Sequence, residues 1–137
     1  MKTFLISIIA YISLATTGVA EVGDIYNCKF GVTRSDWLSE QVIFGVADEN
    51  KKVTVYDAII HREYGEPVDA EVYRDDEKRF SIRWLVVTPD AHGRTSKLSF
   101  KLSYFKQKKK ATMTMIIPGA ENRYSSRGKC SIAKGNI

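Results

Sequence analysis

Apolar and polar side chains alternate along most of the chain beyond residue 20. In 97–105 the even positions carry Leu, Phe, Leu and Tyr, and the odd positions between them carry Ser, Lys and Ser. A period of two places successive side chains on opposite faces of a β-strand. The segment therefore predicts a strand with one buried face and one solvated face.

The same alternation recurs between short polar connections, which favour antiparallel neighbours. It predicts an all-β chain of about eight strands, at 25–31, 41–47, 53–60, 68–73, 79–88, 97–105, 111–117 and 124–132. Residues 33–40 do not alternate and contain the capping residues Ser35 and Asp36. They predict a loop with one short helical turn near 35–39, and its Trp37 and Leu38 would cover one end of the β core.

The two cysteines, Cys28 and Cys130, fall in the first and last predicted strands, on faces that carry aromatic residues. A disulfide between them is the only intrachain pairing possible; two free thiols are the alternative. Eight consecutive antiparallel strands leave two open edges unless the sheet closes. A bridge between the first and last strands favours an up-and-down barrel, with a barrel-like sandwich as the alternative.

The N-terminus has the features of an export signal. Lys2 precedes an apolar run from Phe4 to about Ala15, and small residues occupy positions 18 and 20. The run is shorter than the ~20 residues of a membrane span. We therefore predict a signal peptide at 1–20 and a single β domain at 21–137. The protein would be periplasmic or extracellular, with no membrane span after cleavage and no nucleic-acid partner.

No catalytic motif, cofactor motif or metal-ligand spacing occurs in the sequence. We accordingly expect a protein that is not an enzyme and has no catalytic, cofactor-binding or metal-binding residues. The alternative enzyme hypothesis uses Asp57 and His61, which lie four positions apart; His92 likewise follows an acid, Asp90. For both histidines, a solvated position at a loop end is the simpler interpretation.

Basic residues crowd the predicted connection at 106–110 and the outer faces of the strands beside it. The predicted anion-binding patch consists of Arg83, Lys97, Lys101, Lys106, Lys108, Lys109 and Lys110. It would attract an anionic envelope component or an acidic protein; a solvated surface that blunts strand pairing is the alternative. Tyr56 and Tyr73, if outward, would add stacking surface for a sugar.

The predicted inner face is rich in aromatic residues and methionine. Its members include Phe44, Phe80, Trp84, Phe100, Tyr104, Met113 and Met115. In an eight-stranded barrel such side chains either fill the interior or leave room for one small apolar ligand. Filling is the preferred interpretation, and a carrier of small apolar ligands is the alternative function.

The Tyr26-Asn27-Cys28 start and the Gly128-Lys129-Cys130 end resemble small exported bacterial β-barrel proteins, such as the periplasmic inhibitors of C-type lysozyme. The resemblance implies a barrel with a terminal disulfide. The inhibitors' Ser-Gly-x-x-Tyr loop is absent, so no functional residue carries over. The leading hypothesis is an exported, non-enzymatic binding protein of the cell envelope or extracellular space; a lysozyme-inhibitor-like protein is a further alternative.

Overall fold

The computed structural model describes residues 22–31, 35–47 and 49–136. The predicted signal peptide at 1–20 lies outside these residues. The elements are β1 (Val22–Phe30), β2 (Gln41–Ala47), β3 (Lys52–Asp57), α1 (Ala58–Tyr64), β4 (Val68–Asp75), β5 (Arg79–Pro89), β6 (Thr95–Phe105), β7 (Lys110–Ile116) and β8 (Arg123–Asn136). Among the described residues, no helix is both long and apolar enough to cross a membrane.

The eight strands form one closed antiparallel barrel in chain order. The barrel closes because β1 pairs with β2 on one side and with β8 on the other. In the closing ladder Cys28 lies opposite Cys130, and a disulfide with an S–S distance of 2.01 Å joins them. The predicted fold and the predicted disulfide are therefore confirmed, as a barrel rather than a sandwich.

The barrel interior is filled by the apolar face that the alternation predicted. Phe44 and Phe100 are fully buried, and Trp84 is only 4% exposed. The Trp84 ring stacks on Phe100 with centroids 5.3 Å apart. Near the opposite end, Tyr26 stacks on Phe44 at 4.5 Å and meets Tyr104 edge-on at 5.1 Å. Such ring contacts stabilise the fold beyond the burial of these large side chains.

The prediction that β3 extends to residue 60 is wrong. The strand ends at Asp57, whose Oδ1 accepts a hydrogen bond from the Ile60 N–H at 2.8 Å and so caps α1. The helix buries Ile59 and Ile60, an adjacent apolar pair that a period of two cannot place on one face. It ends at Gly65, which adopts a left-handed conformation with φ 72°.

The predicted helical turn near 35–39 is a single hydrogen-bonded turn and does not extend into a helix. The Leu38 N–H donates to the Ser35 carbonyl at 3.2 Å, and the Trp37 N–H donates to the Ser35 hydroxyl at 3.2 Å. Leu38 is buried and Trp37 packs against the core cluster. These two side chains cover one end of the barrel, as expected from the sequence.

Candidate functional site

The structure divides the predicted anion-binding patch. Arg83 forms a bidentate ion pair with Glu71, with nitrogen–oxygen distances of 2.8 and 3.0 Å. The hydrogen bonds and the charge of Arg83 lower the pKa of Glu71. Because the pair is exposed to solvent, it adds little to the stability of the fold. Arg83 therefore carries little free positive charge for a partner.

Lys106 is neutralised in a similar way. Its Nζ lies 2.8 Å from Asp75 Oδ1, and the Lys106 N–H donates to the Lys78 carbonyl. The hydrogen bond from Lys106 is the main reason why the pKa of Asp75 lies below its usual range; one from Asn50 adds to it. The predicted basic tip thus contacts the acidic tip at 75–77, because both connections lie at the same end of the barrel.

Lys97 and Lys101 lie on the outer face of β6, apart from the connection at 106–110. Lys97 is opposite Val87 in the β5–β6 ladder, and Lys101 is opposite Arg83. The Lys101 Nζ lies 5.8 Å from the centroid of the Tyr73 ring, a cation–π contact. Lys101 therefore belongs to the surface around Tyr73, whereas Lys97 lies farther along β6.

A different cluster of cations forms where the barrel closes. We call it the basic seam and define it by Lys29 of β1, Arg127 and Lys129 of β8, Lys110 of β7 and Lys108 of the β6–β7 connection. Lys129 lies directly opposite Lys29 on one side and Lys110 on the other. With strands about 4.8 Å apart, the three lysine Cα atoms lie within about 10 Å of one another.

Two adjoining surface depressions lie on the basic seam. One, of about 530 Å³, is lined by Asn27, Lys29, Gly31, Arg127, Gly128, Lys129, Cys130 and Ser131. The other, of about 350 Å³, is lined by Phe105, Lys108, Lys110, Ala111, Thr112, Arg127 and Gly128. Arg127 and Gly128 belong to both. All five seam cations line these depressions, whereas no Asp or Glu of the described chain does so.

The basic seam lacks internal neutralisation. In the part of the chain that the structure describes, none of its five cations forms an ion pair with a carboxylate. Like charges directly opposite each other on neighbouring strands destabilise a sheet. A bound anion would relieve that repulsion, so the seam has the electrostatic character of an anion-binding surface.

The sequence prediction included Lys108 and Lys110 but missed Lys29, Arg127 and Lys129. They lie far along the chain from residues 106–110 and become neighbours only when β8 pairs with both β7 and β1. A usable signal was present, because Lys29 follows Cys28 and Lys129 precedes Cys130. Pairing the cysteines across two antiparallel strands places these two lysines opposite each other on the outer face.

Lys109, which the sequence prediction also included, uses its backbone carbonyl to accept a hydrogen bond from the Cys130 N–H.

The residues of the alternative enzyme hypothesis do not form a pair. The Asp57 carboxylate is buried and caps α1, whereas the exposed His61 hydrogen-bonds the Tyr56 hydroxyl through Nδ1. Burial raises the pKa of Asp57, opposed by the hydrogen bond from the Ile60 N–H and, more weakly, by the neighbouring Ser39 hydroxyl. His92 lies in the β5–β6 connection, where its N–H donates to Asp90 at 2.8 Å.

Comparisons of the chain with protein-family models, with curated protein sequences and with solved structures gave no match.

Proposed function

We propose that this chain is an exported, non-enzymatic binding protein of the cell envelope or extracellular space, and that it binds an anionic partner on the basic seam. One observation carries the proposal: two adjoining depressions lined by five cations and by no carboxylate of the described residues. Surface potentials of one sign in concave sites raise the local concentration of oppositely charged partners. The disulfide adds support for export, since such bonds persist in oxidising compartments.

The filled interior makes an apolar-ligand carrier the weaker candidate. Phe44, Phe100, Met113 and Met115 are fully buried within the barrel. A ligand placed there would have to displace side chains that already make ring and methylene contacts. Binding on the outer surface requires no such displacement, so the basic seam is the favoured place for a partner.

Charge reversal tests the seam. The double variant Lys110→Glu/Lys129→Glu should bind polyglutamate at least about tenfold more weakly than the unmodified protein at low salt. The matched control, Lys97→Glu/Lys101→Glu, makes the same change in net charge on β6, away from the seam. We expect it to retain most of the binding. Titration by fluorescence anisotropy at several salt concentrations gives the dissociation constants, and circular dichroism checks the fold.

Equal losses of binding in both double variants would refute the seam as the site, because binding would then follow net charge alone.

Export is tested separately. Expression of the full chain in an export-competent bacterial host, followed by mass measurement of the periplasmic or secreted protein, should give a chain beginning at Glu21. A protein retained in the cytoplasm with residues 1–20 attached would contradict the export part.

A further inference from the structure

Two further depressions lie beside the basic seam on the outer face of the barrel. Asn27, which lines a seam depression, accepts a hydrogen bond from Gln41 Nε2 at 2.8 Å. Gln41 in turn lines a depression of about 640 Å³ between β2, β3 and α1. A smaller depression of about 190 Å³ continues from it and shares Ile43 and Tyr56. We call these two depressions together the Tyr56 groove.

Tyr56 is held in a fixed orientation in this groove. It lies opposite Ile43 in the β2–β3 ladder, and both side chains point outward. The Tyr56 hydroxyl hydrogen-bonds His61 Nδ1, and the two rings are nearly perpendicular, with centroids 5.8 Å apart. A ring that is already immobilised loses little conformational entropy when a ligand packs on it. Beside it, Ile43 is 37% exposed and extends the apolar surface.

The groove differs from the seam in charge. Its lining includes Glu40 and Asp57 and the amide of Gln41, and no Lys or Arg of the described residues lines either of its depressions. Acid groups of a ligand are therefore disfavoured in the groove and favoured on the seam. An apolar ring face, by contrast, can pack on Tyr56 and Ile43 while hydroxyl groups bond the polar rim.

We propose that the anionic partner is an acidic oligosaccharide, with a sugar ring packed on Tyr56 in the groove and its acid groups on the basic seam. This inference rests on the proposed function, since it uses the same seam. The hydrogen-bonded side chains of Asn27 and Gln41 lie between the basic seam and the Tyr56 groove and connect them. The chemistry needed is a pyranose ring face, hydroxyl groups and carboxylate, sulfate or phosphate groups in one molecule.

The test compares two probes of equal charge, of which one is built from sugar rings and the other from amino acids. Tetragalacturonate and an N-acetylated, C-amidated tetraglutamate peptide each carry four carboxylates. Isothermal titration of the disulfide-bonded protein should give tetragalacturonate binding about tenfold tighter than the peptide. The variant Tyr56→Leu should reduce tetragalacturonate binding to within about twofold of the peptide, while peptide binding is unchanged.

Two further variants make the result specific. Tyr73→Leu removes another outward, exposed tyrosine that lines neither the seam nor the groove, and it should leave the preference for the sugar intact. His61→Ala keeps the Tyr56 ring but removes the hydrogen-bond partner of its hydroxyl, and it should lower the preference for the sugar severalfold. It also serves as the test if Tyr56→Leu does not fold.

The outcomes separate the inference from the proposed function. If both probes bind equally, or if the preference for the sugar survives both Tyr56→Leu and His61→Ala, the inference is overturned while anion binding on the seam stands. If neither probe binds the unmodified protein, both are overturned. Tight binding of tetragalacturonate that depends on Tyr56 and is lost in Lys110→Glu/Lys129→Glu supports both.

Discussion

Removing the disulfide should lower the free energy of unfolding by an amount that its position in the chain determines. Cys28 and Cys130 are separated by 102 positions, so the bridge closes a loop that spans nearly the whole described domain. In the loop-entropy treatment, a cross-link over about 100 residues restricts the unfolded chain by about 4.7 kcal/mol at 25 °C. Domains of this size have total stabilities of about 5–15 kcal/mol.

The substitution to use is Cys28→Ala/Cys130→Ala. Cys28 is fully buried and Cys130 is 8% exposed, so serine would bury a hydroxyl group without a partner. We expect the barrel to fold without the bridge, because β1 and β8 also share a ladder from Val22↔Asn136 to Phe30↔Gly128. Its stability should nevertheless fall by about 4–5 kcal/mol.

Urea unfolding, followed by tryptophan fluorescence and far-ultraviolet circular dichroism, measures this change. Three samples are compared: the oxidised protein, the same protein reduced with a phosphine, and the double variant. The reduced protein loses only the cross-link, whereas the double variant also loses two sulfur atoms from the core. Both should show a steeper dependence on urea than the oxidised protein, because the unfolded chain becomes more expanded.

A loss of less than about 1 kcal/mol in the free energy of unfolding on reduction, with an unchanged urea dependence, would contradict this explanation of the disulfide's effect. That result would mean that the unfolded chain keeps its ends together without the bridge. A thiol assay on each sample ensures that the oxidised protein contains no free cysteine and that reduction is complete.

Two further substitutions test local packing and pH dependence by the same unfolding assay. Gly128→Ala would place a Cβ 2.2 Å from the Lys29 carbonyl oxygen and should cost about 1–3 kcal/mol, whereas Gly31→Ala meets no atom within 4 Å and should be neutral; equal effects would contradict this. Asp57→Ala removes the helix cap and should cost about 1 kcal/mol, whereas Asp57→Asn keeps it. Because burial raises the folded-state pKa of Asp57, its ionisation makes the wild type less stable as pH rises from its usual range near 4 through the raised value. Asp57→Asn should lack this decline in stability. If its pH profile matched that of the wild type, ionisation of Asp57 could not be the cause.

Much of the fold followed from local pattern. Alternation identified all eight strands, because a period of two is a property of the extended backbone itself. The helix at Ala58–Tyr64 was missed because Asp57 both completes the inward face of β3 and caps the following turn. A capping residue at the end of an alternating run fits both interpretations, and the buried pair Ile59 and Ile60 decided between them only in the folded structure.

The candidate site was less accessible to sequence reasoning. Arg83 and Lys106 looked available, but their carboxylate partners Glu71 and Asp75 come from β4, which the barrel places beside β5 and near the β6–β7 connection. Charge pairing across strands depends on register, and a register shift of one residue would turn every side chain to the opposite face. The charges along the sequence therefore indicated a basic patch but not which of its cations lack a carboxylate partner.

The sequence by itself determined the positions of the strands and their inward faces, because these depend on backbone periodicity. It also limited the disulfide to a single possible pair of cysteines, although only the structure shows that the bridge closes a barrel. Only the tertiary structure decided that Lys29, Lys110 and Lys129 form one row, and that Tyr56 is fixed by His61 beside it. The reason is physical: the pattern along one strand sets which way a side chain points. Which charges become its neighbours depends on how distant strands pair when the barrel closes.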